Sequence, residues 1–348
     1  MGSSEYHCHE VTKQTASRIN FLGEQDAARK RGHPSQNPRP WAGAKCYAKP
    51  GVGTFVMTTQ KKWDKAKGLV NDLVNQVIVD KLAVNHKSLE RSCGFLCHLS
   101  RTYPAMFPYL KGFYNTLNSW RLGRDKDGWK MGKLAWWELM SGDKSELDDP
   151  TMFNQRKRKF IELNQKPTNP ETIKAVPRMS FDLKALTELL SLDTPSDRLV
   201  RGTNIDSAMF MFGDALGKGF GSSWEHEDGM EYRFGVWGED MDESSSNLRE
   251  LQNLVETVEL LGSQGKLTGK ELFIFTDNKV SEAAFYNGSS KSELLFEFIL
   301  RLRKLEMKTG THIFISHVAG TRMKAQGTDG LSRGNLETGV MSGKEISS

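Results

Sequence analysis

The stretch SAMFMFGDALGKGFGSSW, residues 207–224, runs an apolar segment, Ala208 to Phe212, into an acidic residue, Asp214, and then into a turn carrying Gly217, Gly219 and Gly221. An apolar run of that length stopped by Gly and Asp reads as a strand closed by a turn, and glycines at such a turn let the backbone lie close to a bulky partner. Together with EYRFGVWGED at 231–240, the stretch predicts three short strands in an antiparallel meander. SSSNLRELQNLVETVELLGSQG at 244–265 follows, with Ser and Asn at its start, Gly at its end and a stripe of Leu251, Leu254, Val255 and Val258. That pattern predicts a capped amphipathic helix.

Downstream, ELFIFTDN at 271–278 reads as a short buried strand, and SEAAFYNG at 281–288 as a brief helix. SELLFEFILRLRKLEMKTG at 292–310 reads as a longer helix, THIFISHVAG at 311–320 as another strand, and TDGLSR at 328–333 as a final short helix. Strands joined through helices are parallel, so the order predicts a five-stranded mixed sheet in an α/β domain.

Four carboxylates stand at ends of these elements. Asp214 ends the first strand and Asp277 ends ELFIFTD, at the carboxyl end of a parallel strand, where open α/β sheets place their sites. Glu250 flanks the apolar stripe of the first helix, and Asp329 opens the last helix. Taken singly, each is an ordinary cap or solvated neighbour. Convergence of all four at one rim would be costly unless hard cations neutralised the charge. Two Mg2+ (or Mn2+) ions about 4 Å apart, one activating water and one stabilising the leaving oxygen, are the usual reason for such a cluster.

FGDALGKGFG, SSNLREL, FTDN and HVAGTRMKAQGTDGLSRG, in this order, resemble the ribonuclease H domain of retroelement reverse transcriptases over about residues 205–334. The resemblance implies a ribonuclease H-like fold and a metal-dependent endonuclease that hydrolyses the RNA strand of RNA/DNA hybrids. It implies Asp214, Glu250, Asp277 and Asp329 as the metal-binding set, and His317 as a mobile catalytic group near the outgoing product. The stretch around Asp329 is longer and more basic than the retroelement pattern in which an Ala-Asp pair precedes Leu-Ser-Arg. Asn278 is expected to touch the RNA 2′-hydroxyl, and Arg322, Lys324 and Arg333 to hold phosphate, with plain solvent exposure as the alternative for those three.

FLGEQDAARKR at 21–31, TTQKKWDKAKGLVNDLV at 58–74 and SLERSCGFLCHLSRTYPAMFPYLKGFYNTL at 88–117 look like the stretch after a reverse-transcriptase palm, with a thumb helix and a connection segment. From Thr59 to about Leu82 a three-four spacing of apolar residues opposes a basic face of Lys61, Lys62, Lys65 and Lys67, which would grip duplex phosphates without sequence choice. A second helix is expected from a cap at Asn85 to the break at Pro104. The polymerase signature, a Tyr-x-Asp-Asp turn, does not occur, so polymerase activity is not expected of this chain alone and a separate palm segment is the implied partner. The expected division is a thumb- and connection-like region at 1–139 and a linker with a short helix at 140–204. The nuclease-like domain at 205–334 and a flexible tail at 335–348 complete it.

Charge supports a nucleic-acid partner. Residues 1–180 hold 30 basic against 17 acidic residues, and residues 181–348 hold 18 against 26. A basic half suits a polyanion, RNA/DNA hybrid or duplex, and an acidic half suits metal ions. The runs ARKR at 28–31 and RKRK at 156–159 read as nuclear import signals or phosphate contacts, and Trp120, Trp136 and Trp137 as core residues rather than stacking platforms. Four scattered cysteines argue against a disulfide-stapled secreted fold, and no second ligand pair makes Cys93, Cys97 and His98 a zinc site. With no apolar run long enough to span a bilayer and no signal-peptide stretch, a cytoplasmic or nuclear protein is expected. Two further readings stay open: a silent nucleic-acid-binding remnant, and an RNase H-like transposase or integrase.

Overall fold

The computed structural model describes residues 40–41, 44–49, 53–140, 149–202, 208–226, 229–238, 244–288, 292–335 and 344–345. The FLG stretch and the ARKR run lie outside them. A small antiparallel sheet comes first, from β1 (Pro40–Trp41), β2 (Ala44–Lys49) and β3 (Gly53–Thr58). Helix α1 (Gln60–Val74) continues through a π-helical turn, Asn75–Val79, and buries Trp63, Ala66, Val70 and Leu73, the expected three-four stripe. The short strand β4 (Val84–Asn85) leads into α2 (His86–Ser100), whose cap is Asn85, its side chain accepting from the Ser88 N–H at 3.0 Å. Pro104 starts a 3-10 turn, Pro104–Leu110, that feeds α3 (Lys111–Asn118), and α4 (Lys133–Leu139) and α5 (Pro150–Asn164) follow. Trp136 and Trp137 are buried with Phe153 in a small satellite core between α4 and α5.

The segment expected as a linker is largely structured. Besides α5 it holds β5 (Thr172–Ile173), which pairs with β4, and α6 (Pro177–Leu189), which starts at Pro177 and not at Phe181. Met179, Leu183, Leu186 and Leu189 of α6 lie in the core of the helical unit. β6 (Arg198–Gly202) closes the first sheet against β3. The reason is partnership: α6 has too few apolar residues to form a core alone, and β6 is masked by its arginines, so neither shows itself without the elements it packs on.

The second sheet is built as the sequence predicts. β7 (Ala208–Ala215), β8 (Gly219–His226) and β9 (Gly229–Val236) form the meander, and α7 (Ser246–Ser263) covers it. β10 (Glu271–Thr276) pairs parallel with β7 and with β11 (His312–His317), through the intervening α8 (Lys279–Asn287) and α9 (Glu293–Thr309). The chain then forms α10 (Gly320–Gln326), absent from the sequence reading, and α11 (Thr328–Ser332). The order β11-β10-β7-β8-β9, three antiparallel strands followed by two parallel ones, is a mixed α/β sheet of the ribonuclease H-like kind. A two-residue strand, β12 (Lys344–Glu345), within the stretch expected to be a flexible tail, adds to β9 as a sixth. No helix among the described residues is long and apolar enough to cross a membrane.

Two details fix the geometry around the sheet. Strand β11 is an edge, and carboxylates occupy two of its outward N–H groups: Glu306 Oε1 accepts from Ile313 at 2.8 Å and Glu282 Oε1 from His317 at 3.1 Å. Helix α11 lies on β8, where a Cβ at Gly219 would stand 2.5 Å from the Ser332 carbonyl, and one at Gly221 2.5 Å from the Leu331 Cβ. The bulky partner of this glycine-rich strand is therefore the helix that carries Asp329. Gly221→Ala should unseat α11 and cost about 1–3 kcal/mol, the usual range for overpacking, to be read as a lower urea midpoint at unchanged slope. A midpoint equal to that of the unmodified chain would count against this account.

Candidate metal centre

Asp214, Glu250 and Asp277 come from β7, α7 and the end of β10, and each offers an oxygen within 4.8 Å of the others'. The register explains the meeting. β7 and β10 run parallel and side by side, with Phe212 opposite Phe275, so their carboxyl ends open at the same rim. Leu251, Leu254, Val255 and Val258 press α7 onto the sheet, which turns Glu250 toward that rim. A Cβ on Gly213 would overlap Leu254, so glycine there lets the helix sit close.

Each acid is held by its own partners. Ser332 Oγ donates to Asp214 Oδ2 at 2.9 Å and to the Asp329 carbonyl at 2.9 Å, tying α11 to the end of β7. Ser246 Oγ donates to Glu250 Oε1 at 2.9 Å from one helical turn before it. Below them, the buried Asn253 spans β7 and β8, donating to the carbonyls of Asp214 at 3.0 Å and Gly221 at 2.9 Å. Gly320 opens space beside Asp277, since a Cβ there would stand 3.0 Å from Asp277 Oδ2.

The electrostatics are those of crowded like charge. Burial pushes the Glu250 carboxyl up to about 7, the charges of Asp277 and Asp214 add to the shift, and hydrogen bonds from Ser246 and Asn278 oppose it. Asp214 is raised as well, first by burial and then by Asp277 and Asp329, against the Ser332 hydrogen bond. Glu250 Oε2 is buried and accepts no hydrogen bond of acceptable geometry. An orphaned carboxylate oxygen between two other acids fits an oxygen-seeking divalent cation, and all three donors are of the hard type that Mg2+, Mn2+ or Ca2+ takes.

The remaining expected site residues are placed as follows. Asp329 sits in the first turn of α11, outside the three-residue cluster but close enough for its charge to act on Asp214, and Arg333 holds it with two bonds, at 2.9 and 3.1 Å. Arg333, expected on phosphate, is thus engaged with a carboxylate. Asn278 is the buried N-cap of α8, its Oδ1 accepting from the N–H groups of Val280 and Ser281 and its Nδ2 donating to Asn247 Oδ1 at 3.0 Å. His317 ends β11 beside Thr276, one residue before Asp277 on the neighbouring strand. Arg322 and Lys324 are exposed on α10.

On α1, Lys61 is exposed, while the other three lysines have neighbours. Lys62 Nζ is 3.4 Å from His98 Nε2, Lys65 lies over the Phe95 ring, and Lys67 donates to the Leu192 carbonyl at 3.1 Å. Ser332, Ser246, Asn253 and Gly320 were not singled out from sequence. The two serines had a signal in their spacing, four before Glu250 and three after Asp329, whereas Asn253 and Gly320 act only through the fold.

No protein-family model matches the chain, and no curated protein does. Among solved structures, LC11-RNase H1 in complex with RNA/DNA hybrid is 17% identical at a TM-score of 0.30, covering 39% of this chain and 96% of that one. RNase H1 from the halophilic archaeon Halobacterium salinarum NRC-1 is 18% identical at a TM-score of 0.28, covering 37% and 96%. The foamy viral protease-reverse transcriptase in complex with RNA/DNA hybrid is 9% identical at a TM-score of 0.24, covering 79% of this chain and 29% of that one. At these values the site stands on the chain's own residues.

Because the folded pKa of Glu250 is raised, the folded state binds a proton that the unfolded chain has released, so metal-free stability should fall as pH rises from about 4.5 toward about 7. Glu250→Gln should flatten that fall, and a divalent cation should raise the melting temperature of the unmodified chain at pH 8 but not that of the variant. Differential scanning calorimetry across this range checks both statements.

Proposed function

We propose that this chain is a metal-dependent endonuclease that hydrolyses the RNA strand of RNA/DNA hybrids, as part or remnant of a retroelement reverse transcriptase. The observation that carries the reading is the meeting of Asp214, Glu250 and Asp277 within 4.8 Å, with one Glu250 oxygen left unpartnered. The four ordered motifs and the basic first half support it.

Asp214, Glu250 and Asp277 would hold the ions, and Asp329 would join them after exchanging Arg333 for metal. Two bound divalent cations supply an activated water and stabilisation of the leaving 3′-oxygen. The chain's own part is positioning. Ser332 fixes the Asp214 carboxylate, Ser246 and Asn278 orient Glu250, and Gly320 leaves the Asp277 side chain room at the rim. Arg322 and Lys324, exposed on α10, and Arg333, once released from Asp329, would face the scissile backbone as phosphate partners. His317, next in the sheet to the strand of Asp277, is placed to pass a proton to the departing product. The Asn278 carboxamide caps a helix and supports Glu250, so its part in reading the 2′-hydroxyl would run through small shifts of that network.

Purified protein should cut the RNA of a labelled hybrid with Mg2+ or Mn2+ and leave it whole in EDTA. Asp277→Asn should reduce the rate at least 100-fold, on the order expected when a group stabilising transition-state charge is lost, while hybrid affinity in EDTA changes little. Equal cutting by the variant, or cutting without metal, would overturn the reading.

A further inference from the structure

The α4–α5 module carries a second feature that the metal centre does not use. Trp137 and Phe153 stack with ring centroids 5.6 Å apart, and the cations of both helices lie against this aromatic cluster. Lys157 Nζ stands 4.5 Å from the Trp136 ring centre and 5.9 Å from that of Phe153, Lys133 Nζ lies 5.6 Å from Phe153, and Arg156 lies over Trp137 at 5.4 Å. Arg158 and Lys159 complete four consecutive cations on α5 and are exposed. Between the helices opens a cleft of about 330 Å³, with Lys133 and Lys157 at its rim, Trp136, Phe153 and Pro150 in its wall and the exposed Asn154 beside them.

Charge balance makes this more than a solvated helix face. Asp149, an acid at the start of α5, spends its carboxylate on the N–H groups of Thr151 and Met152. Among the described residues, Lys133, Lys157, Arg158 and Lys159 have no ion-pair partner. Like charges three and four residues apart on a helix repel, so this array is stabilised by whatever polyanion lies across it. Two ammonium groups converging over one ring cluster fit a single phosphate, with the sugar and base against the apolar wall. A concave, aromatic-walled cleft of this size takes an unpaired nucleotide, whereas the convex backbone of a duplex would meet only the outer cations.

We infer that the α4–α5 cleft is a binding site for an unpaired nucleic-acid strand, with one phosphate held between Lys133 and Lys157. It rests on the proposed function only for the class of partner, and its test needs neither metal nor cleavage. The site gives the chain a grip on single-stranded RNA or DNA flanking a hybrid, separate from the carboxylate rim.

The test uses the full chain in EDTA, with a labelled single-stranded oligonucleotide and a hybrid duplex titrated by fluorescence anisotropy over a salt series. Lys133→Gln with Lys157→Gln should weaken single-strand binding about tenfold near 0.1 M salt. The slope of log K against log salt should shrink by about 1.4, two contacts at roughly 0.7 each. Hybrid affinity should change less than threefold. A slope unchanged from the unmodified chain overturns the site, and so does an equal loss for hybrid and single strand, which would make the patch a general duplex contact. Polyglutamate competing as well as an oligonucleotide of equal charge also overturns it. Should the double variant melt early, Asn154→Glu sets an acid at the rim from an exposed helix position, and the same fall in single-strand affinity is expected. Full cleavage activity in a variant that has lost strand binding separates this inference from the nuclease reading.

Discussion

Three carboxylates forced to one rim repel each other, and the scaffold around them is arranged to hold that unfavourable cluster together. Glu250 is the most constrained of the three, with one oxygen held by Ser246 and the other buried without a partner. A cluster like this persists only when the packing that imposes it is worth more than the repulsion it stores. Here that packing is the α7 stripe, with Leu251, Leu254, Val255 and Val258 fully buried against the sheet. Loss of the cations' counter-charge would leave the rim strained but the sheet intact.

The supports differ in kind. Asn253 works by saturating the backbone, since a buried carbonyl left without a donor costs on the order of 1–3 kcal/mol, and its amide serves the carbonyls of Asp214 and Gly221 together. Ser332 works by linking two elements that are 118 residues apart, the end of β7 and the end of α11. Arg333 pairs with Asp329 in the absence of any other cation, so the fourth carboxylate carries its own counter-ion. The same guanidinium cannot serve Asp329 and a phosphate at once.

Legibility in the sequence tracked how locally each feature is determined. The second sheet was readable because each of its strands carries its own apolar run and its own stop signal, as FTDN does at 275–278. Asp214, Glu250 and Asp277 followed from their positions at element ends. Helix α6 and strand β6 were harder, because their burial depends on α1, α3 and β3, which are distant in sequence. Trp136 and Trp137 are core, as tryptophans beside a helix usually are. The glycines at 219 and 221 announced a close approach without saying to what, and only coordinates identify α11. Asn253 and Gly320 left no local mark, since a polar residue in a helix and a glycine in a loop have many ordinary explanations.

Helix α9 faces two ways. Leu295, Ile299 and Leu302 belong to the core under the second sheet, whereas Met307 is buried in the core of the helical unit and Phe296 and Leu300 pack against it. Severing the two halves would bare a greasy seam along a helix that neither could cover alone. Any ancestral shuffling of this nuclease-like module as a cassette would therefore have had to bring along a replacement for that lining, or travel with its helical neighbour attached.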